Sequence, residues 1–213
     1  MKNAFIVTSC IKPLSSSISY EDRYKQTIET FLSVKNKDPD SVLIFADASY
    51  VDVFIDYSQD ENMKRFNQSL LKSHGECYML LKTISWLKDT GIELDRIFKL
   101  GGRCKLTDSF NISDYENTKG KYVFKKKINS WMEKTIQDSY GSPFILETRL
   151  YSFCYSLIDD YIQVLIENFE LFNKGLDTEH SHFINIKKDK LIEFDYVNCE
   201  CVVAGIQNSI MVD

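Results

Sequence analysis

The opening of the chain restricts the fold more than any other stretch. Ala4 to Cys10 is a continuous apolar and β-branched run, the pattern of a strand covered on both faces. It opens through Thr8, Ser9 and Cys10 into a polar loop with Lys12-Pro13 and the serines Ser15 to Ser17. Residues 21–34 then carry Tyr24, Ile28, Phe31 and Leu32 at helical spacing, and Ser19 with Asp22 three residues on predicts the N-cap. Lys37-Asp38-Pro39-Asp40 stops that helix, and residues 41–46 form a second buried strand closed by Asp47. A strand, a helix and a second buried strand predict a crossover between parallel neighbours, so the class is α/β.

Ligands bind outside the carboxyl ends of such strands. Thr8 and Asp47 both stand at such an end. Asp47 has two readings, a carboxylate that reads a ribose hydroxyl or a base N–H, or a cap on the following turn.

The third strand is predicted over residues 94–100 and runs into Gly101-Gly102, with Lys99 on one side and Arg103 on the other. Two adjacent glycines permit positive φ or very close backbone approach. One reading is a backbone cradle and two cations that meet one anion, such as a phosphorylated ligand. The other is a hairpin turn with solvated basic neighbours.

Between the second and third strands, residues 51–57 read as a short strand or an irregular excursion. Residues 60–87 read as helical with a break near Ser73-His74-Gly75-Glu76, and Gly91 is placed to end the helix. Residues 108–121 read as a surface loop, and Tyr122 to Phe124 as a short strand followed by Lys125-Lys126-Lys127, a solvated edge. Residues 149–172 carry Tyr151, Cys154, Leu157, Ile158, Tyr161 and Leu165 at helical spacing and predict one long helix.

Asp177-Thr178-Glu179-His180-Ser181-His182 is the densest set of metal-ligating and proton-transfer groups in the chain. It suits a divalent ion or a general base with a tuned pKa. It equally suits an N-cap at Asp177 or Thr178, with the histidines on a helix surface. The tail reads as a turn at 187–190, a strand over 191–197 and an apolar segment from Cys201 to Val212.

Composition excludes several classes. A net charge of −5 over 213 residues gives no basic field for nucleic acid. No apolar run reaches the roughly 18 residues of a membrane helix, and the N-terminal run is too short for a signal peptide. The six cysteines are scattered and are expected to be reduced thiols of a cytoplasmic protein. With no internal repeat and no low-complexity linker, a single domain over 1–213 is expected.

Four stretches resemble a family of glycosyltransferase-like proteins of viral genomes and bacterial surface-glycan loci. They are Phe5 to Ser9 with Asp22-Arg23-Tyr24-Lys25-Gln26-Thr27, similar to the family's ER-x-x-QT helix start; Lys72-Ser73-His74-Gly75-Glu76, similar to K-x-x-GE; Phe98-Lys99-Leu100-Gly101-Gly102-Arg103-Cys104-Lys105-Leu106, similar to an FK-(I/L)-SGRY-x-L block; and Thr148-Arg149-Leu150-Tyr151 with Thr178-Glu179-His180. The resemblance implies a GT-A-like three-layer α/β sandwich with a mostly parallel central sheet. It implies a nucleotide-binding half over about 1–110 and an acceptor-side half over about 111–213.

The activity it implies is transfer of a sugar from a nucleoside-diphosphate sugar to the hydroxyl of a glycan or other acceptor. The implied donor-side residues are Thr8, Arg23, Asp47, Lys99, Gly101, Gly102 and Arg103, and the implied catalytic residues are Glu179 and His180. GT-A enzymes commonly carry an Asp-x-Asp metal motif where this chain has Gly101-Gly102-Arg103. That departure favours cationic handling of the diphosphate, with a divalent metal the other possibility. Cys104 replaces the family's usual Tyr. The competing expectations are a non-catalytic module that binds a nucleotide or sugar nucleotide, and a structural or interaction protein.

Overall fold

The computed structural model describes residues 2–12, 18–49, 61–202 and 210–212, and side chains from all of these except 61–71 and 210–212. The first half contributes β1 (Asn3–Ser9), α1 (Tyr20–Lys37), β2 (Val42–Asp47), α2 (Glu61–Asp89), β3 (Arg96–Gly101) and β4 (Cys104–Leu106). After a 3-10 turn at Ile112–Tyr115 come β5 (Tyr122–Lys125), β6 (Ile128–Asn129), α3 (Lys134–Tyr140), β7 (Phe144–Ile145) and β8 (Leu150–Cys154). The chain ends with α4 (Ile158–Phe172), α5 (Thr178–Asn185), β9 (Leu191–Phe194), β10 (Cys199–Val202) and β11 (Ile210–Val212).

The central sheet has six strands in the order β2-β1-β3-β8-β5-β9. β1 is parallel to both β2 and β3, and β5 is parallel to β9. β8 alone runs against its neighbours β3 and β5, so the sheet is mostly parallel. Alternation along β1 and β3 builds two core layers. Ala4, Ile6 and Ile97 face α2 and α4, packing with Leu80, Ile84 and Leu165. Phe5, Phe98 and Leu100 face α1 and the small sheet β11-β10-β4, packing with Val34, Cys104 and Cys199. Phe5 and Phe98, paired in register, stack with centroids 4.6 Å apart. The result is the expected α/β three-layer sandwich.

Ser19 caps α1 by accepting from Asp22 N–H, as its position predicts. The buried face differs from the expected one. Thr27, Thr30 and Val34 face the core, while Tyr24, Ile28 and Leu32 are exposed. Small β-branched residues let the helix lie close to the glycine pair: Thr27 Oγ1 is 3.2 Å from Gly102 O. Gly91 ends α2 with φ +67°, but α2 passes through Gly75 unbroken. One glycine in a helix interior costs only about 1 kcal/mol, and burial of Cys77, Leu80 and Ile84 offsets it.

Residues 150–154 correct the long-helix expectation. They form β8, and α4 starts only at Ile158. The loop expected over 108–121 buries Phe110 and Tyr115. The three lysines after Phe124 do not guard an edge, because β9 lies outside β5; Lys125 pairs with Glu147 at 3.0 Å and Lys127 with Glu193 at 2.9 Å. Cys104 and Cys201 are cross-strand neighbours on β4 and β10 and form a disulfide, so the expectation of reduced thiols fails for these two. Residues 51–57 and much of the apolar tail lie outside the described residues. Among the described residues no helix is long and apolar enough to cross a membrane.

Candidate functional site

The strand order reverses around β1: the chain passes through α1 to β2 on one side of it and then from β2 through α2 to β3 on the other. The carboxyl ends of β1 and β3 are therefore the topological switch point, where a crevice for ligand opens. Thr8 and Gly101 are register partners there. Gly102 N–H donates to Thr8 O at 2.6 Å, and Gly101 N–H donates to Arg149 O at 2.9 Å.

This geometry decides between the two readings of the glycine pair. It is no hairpin, because β3 belongs to the central sheet and β4 to the small one. Neither glycine has positive φ. What requires glycine is close approach: a Cβ on Gly102 would lie 2.8 Å from Ser9 Cβ and 2.9 Å from Thr8 O. Both amides are already engaged, so the backbone here forms the floor of the crevice rather than a cradle of free N–H groups.

The flanking cations go to opposite faces. Lys99 is buried toward α2, where Nζ lies 2.5 Å from Glu76 Oε1, donates to Thr148 O at 2.6 Å and sits 5.8 Å from the Tyr151 ring centroid. Thr8 Oγ1 donates to the same Glu76 oxygen at 3.0 Å. Burial would raise the Glu76 carboxyl, but Lys99 and Lys72 together with these hydrogen bonds outweigh it and hold the pKa at about 2. Glu76, which the sequence places at an expected helix break and in the K-x-x-GE-like stretch, is thus the partner of Lys99.

Arg103 turns the other way, toward α1. Its Nη1 is buried with no hydrogen-bond partner among the described residues, and so is Gln26 Oε1. Both residues line one cavity of about 50 Å³. Lys105 stands in the same cavity, 3.1 Å from Glu200 and 3.8 Å from Glu29, so its charge is met. Burial lowers the Arg103 pKa and the nearby charge of Arg23 lowers it further, against the pull of Glu76. Arg23, half-buried in the first turns of α1, donates from Nη1 to Cys10 O at 2.9 Å. Arg23 and Arg103 thus lie close enough for each charge to act on the other, and Arg103 keeps one buried N–H without a partner among the described residues. Asp47 lies across the β1 loop, where Oδ1 accepts from Ile11 N–H at 3.1 Å and from Ser49 Oγ at 2.7 Å. It ties the loop after β1 to the end of β2.

At the C-terminal side the capping reading of 177–182 holds. Asp177 caps α5 by accepting from Glu179 and His180 N–H. The histidines are not on the surface: His180 and His182 are fully buried. His180 Nδ1 lies 2.7 Å from Asp177 Oδ1 and Nε2 lies 2.7 Å from Ser130 Oγ. His182 contacts Thr178 O at 2.7 Å and Tyr161 OH at 3.0 Å, and burial pushes its pKa down to about 4. Glu179 differs. Burial first, then the charge of Asp177, raises its carboxyl to about 7, against the pull of Lys72 and Lys99. Glu76, Lys99, Lys72 and Glu179 therefore belong to one electrostatic neighbourhood, and in it the Glu76 carboxyl is lowered while that of Glu179 is raised.

Among the described residues no three His, Cys, Asp or Glu side chains group as metal ligands. The donor set at Gly101-Gly102-Arg103 is cationic and does not fit a divalent ion. Sequence reasoning missed Glu76 as the Lys99 partner, Gln26 and the Arg149 carbonyl. Only Gln26 and Glu76 left a trace, inside the two short motifs that carry them.

No family model and no curated protein sequence matches the chain. Among solved structures it is similar to a glycosyltransferase involved in the glycosylation of the major capsid of PBCV-1, at 8% identity and TM-score 0.50 over 92% of this chain and 83% of that one. It is also similar to the galactosyltransferase LgtC in complex with donor and acceptor sugar analogs, at 10% identity and TM-score 0.51 over 91% and 73%. At such identities the likeness carries the fold, and the fold is GT-A-like.

Proposed function

We propose that the chain is a glycosyltransferase that moves a sugar from a nucleoside-diphosphate donor to an acceptor hydroxyl. The observation that carries this reading is that the buried Arg103 Nη1 and Gln26 Oε1, two residues lining one cavity, both lack a hydrogen-bond partner among the described residues, with the charge of Arg23 nearby, after the third strand of a GT-A-like sheet. One orphan is a cationic donor and the other an acceptor. A phosphate oxygen next to a sugar or ribose hydroxyl satisfies both.

In this reading residues 1–110 hold the donor and residues 111–213 the acceptor. Arg103 and Arg23 take the diphosphate, with Gly101 and Gly102 as its floor and Asp47 toward the nucleoside. Lys99 acts through Glu76 and Thr8 as a positioning residue. Glu179 accepts the proton of the acceptor hydroxyl. The acceptor oxygen bonds to the anomeric carbon, the bond from that carbon to the phosphate oxygen breaks, and the diphosphate leaves with the electron pair into the field of the arginines. The surface-glycan setting rests on the sequence resemblance.

A thermal-shift screen of nucleoside diphosphates and nucleotide sugars, with and without manganese, tests the donor site. Stabilisation by at least one diphosphate without metal, together with slow hydrolysis of its sugar nucleotide, is the expected result. Binding without any hydrolysis leaves a non-catalytic module, and stabilisation that needs manganese contradicts the cationic site.

A further inference from the structure

His180, buried between the half-buried Asp177 and Ser130, has no place in the transfer step. His180 is fully enclosed, so it cannot meet an acceptor. What it does is visible on the far side of Ser130. Ser130 Oγ, bound to His180, also accepts from Met132 N–H at 3.1 Å. Ser130 N–H donates to Pro143 O at 3.0 Å, and Gln137 Nε2 donates to Met132 O at 2.7 Å. Both neighbours of Trp131 are thereby pinned. The indole itself stands perpendicular to the His180 ring, 88° between planes with centroids 5.1 Å apart.

Yet Trp131 is 61% exposed. A large apolar ring held in place and left facing water is prepared for a ligand face, since rigid aromatics give contact area at little conformational cost. The ring rests on the residue that follows Glu179 in α5.

We propose that Trp131 is the platform on which a pyranose ring of the acceptor stacks, and that His180 is its positioning residue. The electron-rich indole face meets the C–H face of the sugar, whose hydroxyls point outward to water and to the exposed neighbours Glu133 and Lys134. This inference rests on the reading of Glu179 as the acceptor-side acid.

The test uses the full chain with two separate readouts. Capture on an array of immobilised glycans reads the platform, and the thermal shift given by nucleoside diphosphates reads the donor site. Wild type is expected to capture at least one glycan, Trp131→Ala to capture it at least tenfold less, and Trp131→Phe to keep most of the capture. Nucleotide shifts stay the same in all three.

A Trp86→Phe background leaves Trp131 as the one indole of the chain. There His180→Ala is expected to lower the fluorescence anisotropy and glycan capture together, and Ser130→Ala does the same if the histidine variant fails to fold. Unchanged anisotropy in the variant that folds overturns the positioning role. Equal capture by Trp131→Ala, or no capture by a wild type that binds nucleotide, overturns the platform. Capture that depends on Trp131 without any nucleotide shift overturns the donor reading and leaves the platform standing.

Discussion

Lys99 and Arg103 flank the same two glycines and have opposite fates. Lys99 is a strand residue on the α2 face, where Glu76, Thr148 O and Tyr151 meet its charge. Arg103 follows the turn onto the α1 face, where Arg23 opposes it and one of its buried N–H groups finds no described partner. One cation is met by the protein's own framework, and the other keeps a buried N–H that nothing among the described residues meets. Proximity to a ligand crevice is thus no measure of a residue's role; the state of its hydrogen-bond ledger is.

The largest expected effect breaks the satisfied side. Glu76→Ala leaves the Lys99 ammonium buried and unpaired, and denaturant unfolding is expected to register a loss of about 3–5 kcal/mol. Adding Lys99→Met is expected to restore much of it. A loss below about 1 kcal/mol in the single variant contradicts the framework role.

Next is the floor between the two cations. Gly102→Ala puts a Cβ against Ser9 and the Thr8 carbonyl, which predicts about 2–3 kcal/mol of destabilisation. Gly75→Ala, with open space around the added atom, is expected to stabilise α2 by a few tenths up to about 1 kcal/mol, and the pair of melting curves separates a packing glycine from a tolerated one.

The pH dependence probes Glu179. Its carboxyl is raised from 4.5 to about 7 in the fold, so the native state binds this proton more tightly than the unfolded chain. Its contribution is present below pH 4.5 and is lost as pH rises through 7, on the order of 3 kcal/mol. Glu179→Gln is expected to flatten that part of the stability profile. In an activity assay wild type shows a rate that climbs through about pH 7, and the variant loses that limb. A limb that survives Glu179→Gln assigns the base elsewhere.

The parallel side of the sheet was legible because it is local. The buried run at 4–9, the Ser19 cap and the stop at Gly91 each declare themselves within a few residues, and so does the existence of the strand closed by Asp47, although β2 is the sheet's edge with Phe45 exposed rather than the buried strand expected. β8 did not, because Leu150 to Phe153 is buried throughout. A strand covered on both faces shows no alternation, and its apolar residues merge with the spacing of α4. α1 misled in the opposite sense: Tyr24, Ile28 and Leu32 face water, while Thr27, against Gly102, Thr30 and Val34 form its buried face. The Cys104–Cys201 pair, 97 residues apart in sequence, exists only through the β4–β10 register.

In the site, the residue types at 99, 103 and 179 were readable but their partners were not. Ion pairing of Lys99, the orphaned Arg103 N–H and the enclosure of His180 all depend on which face each backbone presents after the turn.

Arg103 carries the central claim, and calorimetry of a stabilising nucleoside diphosphate against wild type and Arg103→Ala tests it directly. Binding by the variant is expected to be at least tenfold weaker, about 1.4 kcal/mol, with a melting temperature equal to or above that of wild type, because the substitution removes a buried donor without a partner among the described residues and its repulsion with Arg23. Unchanged affinity, or a variant that loses stability while its affinity holds, would make Arg103 another framework cation like Lys99 and contradict the account.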